Sequence, residues 1–363
     1  MHKLQLHTDC EGPLALNDNA FELCRDFIQP QGDRFFQQVA RFNDYLVEVA
    51  KQAGYQAGST LKLILPFLIA HGLTNARLAD YCQKTPALVP GAEAAYQFLH
   101  TRNFPIFEVS TSYRQFAEAV GVRLGIRREN IFGTELDLDR FTLKAGEGET
   151  LRRGCEEIIA APVIELPSRA KSLKELPAPT RDAIATLERI ILQQIPAMDC
   201  GVIYQEVKPL GGPEKASAIA DSLTKTGLQL ADTIFVGDSA TDVAAFEAVR
   251  AGGGLTISFN GDRHAVQAAE VVLVSDSAWS VALLAAIVQS WGKEGVLEIA
   301  APETRAKSRS LVLPEQVIDP IFSGLDGHLL NIYLAKGPSR NQLIQESLAM
   351  RAKLRGQAGA ALG

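Results

Sequence analysis

The stretch FVGDSATD, Phe235 to Asp242, constrains this chain more than any other segment. The apolar residues Ile234 to Val236 read as the end of a buried strand, and Gly237 then allows a turn. Asp238 is delivered at the strand tip, and Asp242 follows four residues on. A second acidic strand tip lies almost at the N-terminus, in LQLHTDCEG, Leu4 to Gly12, with Asp9 and Glu11. Oxygen-rich ends of this kind suit a hard cation such as Mg²⁺. Two of them, far apart in sequence, point to a site assembled at one edge of a parallel sheet, where open α/β folds place their ligands.

The pattern between these tips supports such a sheet. Residues 3–9 read as the first strand. From Asn17 to about Ala87 the apolar residues recur at three and four, as in FELCRDFI, FFQQVARFNDYLVEVAKQ and LKLILPFLIAHG, which predicts helices. LVPGAEAAYQFL opens another helix, and PIFEVS (Pro105 to Ser110) and IFGTEL (Ile131 to Leu136) read as strands. The 145–200 region is broken by prolines and then helical, and VIYQEV reads as a short extended segment. GGPEKASAIADSLTKTG opens a helix with Lys215 near its start, and TIFVGD, GGLTISFN and EVVLVS are three further strands. Alternation of strand and helix argues for parallel βαβ units. From about Asp276 the tail reads as a helix, the linker APETRAKSRSLVLPEQ (Ala301 to Gln316) and another helix, ending in a frayed GQAGAALG.

Composition narrows the function classes. The chain has 363 residues, 47% of them hydrophobic, enough for two or three domains. Its net charge of −6 advertises no nucleic-acid surface. The longest apolar run of the C-terminal third, VALLAAIV, is too short for a membrane span, and no signal-peptide pattern precedes the first strand. Five scattered cysteines without a CxxC pair fit a reduced, cytoplasmic setting.

In chain order, the polar residues at strand and helix ends are Asp9 and Glu11, Ser110 and Thr111, Lys215, then Asp238 and Asp242. They can perform phosphoryl transfer through an aspartyl phosphate. Asp9 is placed to attack phosphorus. Glu11 can protonate the departing alkoxide and then activate water. Asp9, Asp238 and Asp242, with a backbone carbonyl near Glu11 or the Glu11 carboxylate itself, can hold Mg²⁺, which screens nucleophile from phosphate. The Ser110 hydroxyl and the Lys215 ammonium can hold the other phosphoryl oxygens.

These residues resemble the haloacid dehalogenase superfamily, whose four motifs read here TDCEG, FEVSTS, GGPEKAS and VGDSATD. GGLTISFN, AAEVVLVS and LVPGAEAAYQFL resemble its phosphoserine-phosphatase-like branch. The likeness covers roughly residues 1–275. NDNAFEL after DCEGP, together with STSY, is also similar to the archaeal family named energy-converting hydrogenase A subunit R. One departure is that the first motif is Asp-Cys-Glu, where the family's usual form is DxD; the longer Glu11 could slow hydrolysis of the intermediate and favour transfer to an alcohol.

The resemblance implies an α/β fold with a doubly wound, mainly parallel sheet, an inserted helical cap and extra C-terminal helices. Residues 1–16, 88–145 and 200–275 would form the core, and 17–87 the cap. Residues 146–199 would be a second helical insertion packed beside the cap, and 276–363 a C-terminal helical extension that covers the core or pairs two subunits. It further implies a Mg²⁺-dependent phosphatase acting on a small phosphorylated metabolite, with neither nucleic acid nor membrane as a partner. A phosphotransferase and a non-catalytic subunit of a larger hydrogenase-type complex are the alternatives. A signalling receiver domain is excluded, because its acidic pair precedes its phosphorylated Asp and it is far shorter than this chain.

Several residues carry competing readings. Lys208 competes with Lys215, and Thr111 with Ser110. Asn17 and Asn19 can bind substrate near the cap hinge, or simply form a turn and helix cap with Asp18. Asn260 can bind substrate or buttress the site, and Arg114 can reach an anion or stay solvated. Asp242 also suits a helix start electrostatically. The six histidines show no metal-ligand spacing, and Cys10 should point away from its two acidic neighbours.

Overall fold

The computed structural model describes residues 3–167, 169–301, 314–336 and 339–360, with side chains to Gly356 in the last segment. Seven strands form one sheet in the order β3-β2-β1-β4-β5-β6-β7. They are β1 (Gln5–Thr8), β2 (Ile106–Tyr113), β3 (Ile131–Thr134), β4 (Thr233–Gly237), β5 (Leu255–Phe259), β6 (Val271–Ser275) and β7 (Leu330–Leu334). The first six pair in parallel. β7 runs antiparallel along β6. In β1, β4, β5 and β6 every residue is buried, as expected where helices cover both faces of a parallel sheet. The fold is thus a doubly wound, mainly parallel α/β sheet.

After β1 the chain forms α1 (Asn19–Phe27), α2 (Gly32–Asp44), α3 (Thr60–Ala70) and α4 (Asn75–Lys84) before returning through α5 (Ala92–Thr101) to β2. The outgoing and incoming strands of this excursion lie side by side. The Leu16 amide donates to Ala87 O at 2.7 Å, and the Val89 amide to Leu14 O at 2.9 Å. α3, almost wholly apolar, is the buried centre of this helical layer, and Phe35 of α2 meets Phe67 of α3 edge to face.

α6 (Arg114–Arg123) links β2 to β3, and α7 (Glu147–Ala160) and α8 (Ala178–Leu187) follow. α7 lies against α2 and α3. The Gln38 amide clasps it by donating to Ala161 O at 3.1 Å and Pro162 O at 2.8 Å. The 146–199 segment therefore extends the helical layer beside α2 and α3. VIYQEV, expected to be extended, instead forms a helical turn, α9 (Ile203–Glu206). A short apolar run cannot by itself separate the two conformations.

α10 (Pro213–Thr226), α11 (Val243–Ala251) and α12 (Arg263–Ala268) alternate with β4, β5 and β6, and α13 (Trp279–Ala300), α14 (Glu315–Leu325) and α15 (Arg340–Ala360) complete the chain. The tail expected to be helical therefore also supplies an edge strand, β7, between α14 and α15. α15 packs by Leu343, Ile344 and Met350 against Val266, Val272 and Val274. Most of the basic linker lies outside the described residues, as does the end of the glycine-rich terminus. Among the described residues no helix is long and apolar enough to cross a membrane.

Candidate active site

The sheet order places β2 on one side of β1 and β4 on the other, so the topology reverses between β1 and β4. Ligands of doubly wound sheets bind at such a point, beyond the carboxyl ends of the strands. Thr8 pairs with Val236 across it, and the Asp9 amide donates to Val236 O at 2.8 Å. Asp9 and Asp238 thus emerge from neighbouring strand ends. With Asp242 they form a buried trio in which one carboxylate oxygen from each lies within 4.8 Å of the others.

Lys215 completes this centre. Pro213 starts α10, the first turn buries Lys215 completely, and its Nζ donates to Asp9 Oδ2 at 2.5 Å and Asp242 Oδ1 at 2.7 Å. Burial lowers the lysine pKa, but Asp242 and Asp9 outweigh it and hold the ammonium above its usual value. Burial raises the Asp9 carboxyl well above the usual range; Lys215 opposes that rise, while Asp242 and Asp238 add to it. Lys208 is exposed, so the structure brings Lys215 to the carboxylates instead.

Asp242 has two tasks. Its Oδ2 accepts from the amides of Asp238 (2.8 Å) and Ser239 (3.0 Å), fixing the turn after β4, while Oδ1 faces Lys215. The helix-start reading and the ligand reading of Asp242 are thus compatible. Gly237 is required there, because a Cβ would lie 2.5 Å from the Asp242 carboxyl carbon.

Glu11 is not part of the trio. Its Oε1 accepts from the Asn19 amide at 2.7 Å, at the start of α1. Burial, with Asp18 nearby, raises its carboxyl to about 8, so at neutral pH it largely keeps its proton, as a general acid must. Ser110 and Thr111 lie inside β2, which continues to Tyr113 and so runs past the strand end expected at Ser110; both are buried. Ser110 Oγ accepts from the Ser112 amide at 3.1 Å, and Thr111 Oγ1 is buried with no hydrogen-bond partner. Either hydroxyl can therefore still donate to an anion.

The three asparagines are occupied within the structure. Asn17 donates to Glu22 and Thr85 O and accepts from the Ala87 amide, bracing the two strands that lead into and out of the helical layer. Asn19 faces Cys82 at 3.8 Å. Asn260 donates to Ser275 O at 2.7 Å and accepts from the Ser275 amide at 3.0 Å, joining the ends of β5 and β6. Arg114 is tied to Glu118 and Glu135. Cys10 is buried in the hydrophobic core, like the other four cysteines, all free.

The helical layer closes over this edge. Gln56 donates to Gly211 O at 3.2 Å and Glu214 at 2.7 Å, and the Gly212 amide donates to Thr241 O at 3.0 Å.

Two residues absent from the sequence reading also enter the site. Arg351 of α15 is bonded to the Asp238 carboxylate and donates to Asp238 O at 3.1 Å; Arg355, one turn on, reaches Asp238 Oδ2 at 3.2 Å. Burial raises the Asp238 carboxyl, against the pull of both guanidiniums. Their four-residue spacing marks one helix face, but no local pattern tells where that helix docks.

No family model and no curated protein matches the chain. Among solved structures it is similar to the gene product AF1437 from Archaeoglobus fulgidus, with a TM-score of 0.77 and 28% identity over 98% of each chain. A phospho-aspartyl intermediate analogue of phosphoserine phosphatase gives a TM-score of 0.43 at 15% identity, over 75% of this chain and 93% of that one. A substrate-bound phosphoserine phosphatase complex gives 0.42 at 15% identity, over 72% and 88%. At such values the last two carry no functional weight, and none of the three bears on the hydrogenase-subunit likeness.

Proposed function

We propose that this protein is a divalent-cation-dependent phosphomonoesterase of the haloacid dehalogenase type, acting on a small phosphorylated metabolite. The observation that carries this reading is the buried Lys215 bridging Asp9 and Asp242, with Asp238 beside them at the switch point of the sheet. All three carboxylates supply hard oxygen donors close together, which fits Mg²⁺ and suits no soft metal. Asp9, Asp238 and Asp242 would hold the cation, which when bound screens the nucleophile from the phosphoryl group.

The chain's own groups then act in turn. An Asp9 oxygen forms a bond to phosphorus as the phosphorus–oxygen ester bond breaks. Glu11 gives its proton to the departing alkoxide and becomes a carboxylate. That carboxylate takes a proton from water as the water attacks the phosphoaspartate. The Asp9–phosphorus bond breaks, freeing inorganic phosphate and restoring both residues. Lys215 stays charged throughout, and the hydroxyls of Ser110 and Thr111 donate to the equatorial oxygens. The helical layer would close over bound substrate, selecting it and excluding bulk water.

The test is hydrolysis of p-nitrophenyl phosphate by the full chain with Mg²⁺ or EDTA, repeated with Asp9→Asn. We expect cation-dependent release in the native protein and only background in Asp9→Asn. Hydrolysis that survives this substitution refutes the nucleophile.

A further inference from the structure

We propose that Arg355 is a displaceable counter-cation. It neutralises Asp238 in the metal-free protein, ties that carboxylate to the hinge of the helical layer, and withdraws when a divalent cation binds. This inference rests on the reading of Asp9, Asp238 and Asp242 as the cation site and adds a regulation of that site.

The charge balance motivates it. Three buried carboxylates, Asp9, Asp238 and Asp242, face three buried cations, Lys215, Arg351 and Arg355. In their ionised forms these six groups balance, so a divalent cation added to the same contacts would bring two uncompensated positive charges. Like charges in so dry a place repel strongly. Asp238 also borders a cavity of about 10 Å³ shared with Gly12, Leu16, Leu354 and both arginines, so Arg355 already sits beside a gap.

Arg355 is the group built to move. Arg351 holds both the carboxylate and the backbone carbonyl of Asp238, and one turn before it Ser347 anchors α15 to Gly261 O at 2.7 Å. Arg355 comes last before Gly356, where φ is +76° and the helical path breaks. Its three donor contacts are all long: Asp238 Oδ2 at 3.2 Å, Leu16 O at 3.2 Å and Asn17 O at 3.1 Å. Leu16 and Asn17 lie where the chain leaves the core for the helical layer, the segment this proposal takes as its hinge, and the Leu16 amide bonds to Ala87 O. One guanidinium therefore bonds both the cation site and the hinge, and a cation that displaces it frees the hinge. Opening of the layer to substrate is thereby coupled to cation binding.

The test measures Mn²⁺ binding to the EDTA-stripped full chain by electron paramagnetic resonance, without substrate, in the native protein, Arg355→Gln and Arg355→Lys. Hydrogen exchange of peptides covering residues 13–20 is followed alongside. Arg355→Gln should bind Mn²⁺ about five- to a hundredfold more tightly, with Arg355→Lys close to native. Peptides 13–20 should exchange faster when Mn²⁺ is added to the native protein, and already fast in metal-free Arg355→Gln. A merely structural loss would not tighten cation binding. Equal or weaker binding by Arg355→Gln overturns the latch and leaves the cation site standing. Absence of Mn²⁺ binding in all three proteins overturns the cation site itself, and the latch with it.

Discussion

Replacing Lys215 with methionine is the sharpest test of how this site is held together. The substitution keeps the length and apolar stem of the side chain but removes an ammonium that is completely buried and bonded to two carboxylates. Losing one member of a buried ionic cluster costs about 3–5 kcal/mol, because the remaining charges stay desolvated without compensation. That is a large share of the 5–15 kcal/mol typical of a folded domain. The effect depends on pH in a fixed sense. Burial already raises the Asp9 carboxyl in the native protein, and loss of Lys215 removes the main opposing influence. A carboxyl whose folded pKa is raised keeps its proton while the unfolded chain releases one above roughly pH 4, so the folded state loses stability as pH rises from there. Lysine is fully protonated in both states across this range and contributes no slope of its own. The measurement is urea unfolding with EDTA present, at pH 4.5 and pH 7.5, for the native protein and Lys215→Met. The deficit should approach the full value at pH 7.5 and shrink at pH 4.5. An equal deficit at both values would mean that the lesion is one of packing and not of charge, and no deficit at all would refute the ionic account.

Glu11, raised to about 8 in the folded chain from an ordinary value near 4.5, should make the metal-free protein lose stability as pH rises between those two values. Glu11→Gln should flatten that part of the curve in urea titrations with EDTA, and an unchanged slope would place the titration elsewhere. Gly12 has φ of +101°, and a Cβ there would lie 2.3 Å from Asp238 Oδ2. Gly12→Ala should therefore cost about 2–4 kcal/mol from backbone strain and crowding together, and weaken Mn²⁺ binding by displacing Asp238. A variant with native stability and native Mn²⁺ affinity would contradict the contact.

The strand tips were legible because each couples a short buried run to an acidic residue, and Asp9, Lys215, Asp238 and Asp242 do converge as their positions suggested. The choice of Lys215 over Lys208 was legible too, since only the former begins a helix. The asparagines were ambiguous for a physical reason: an amide at a turn makes the same local bonds whether or not it also meets a ligand, and all three here are engaged within the fold. β7 escaped because an edge strand is only half buried and carries a weak alternation; its central Ile332 alone is fully covered. Arg351 and Arg355 escaped for a deeper reason. On α15 they share one helix face, and where that face docks follows from the pairing of β7 with β6, which no local pattern encodes.

That dependence tells what the C-terminal segment contributes. β7 extends the sheet beyond β6, α15 returns across β6 and α12, and the return path ends over the carboxyl edge of β4. A helix crossing there must meet Asp238, since Asp238 closes that edge. An apolar helix end would leave the carboxylate buried without compensation, at a cost of several kcal/mol. An arginine pair satisfies it, and the planar fork of Arg355 has donors left over for the two hinge carbonyls. The same contacts that let α15 cover the site thus bind it to Leu16 and Asn17, where the chain leads into the helical layer. Covering the carboxylates and tying them to that segment follow from one placement of one helix.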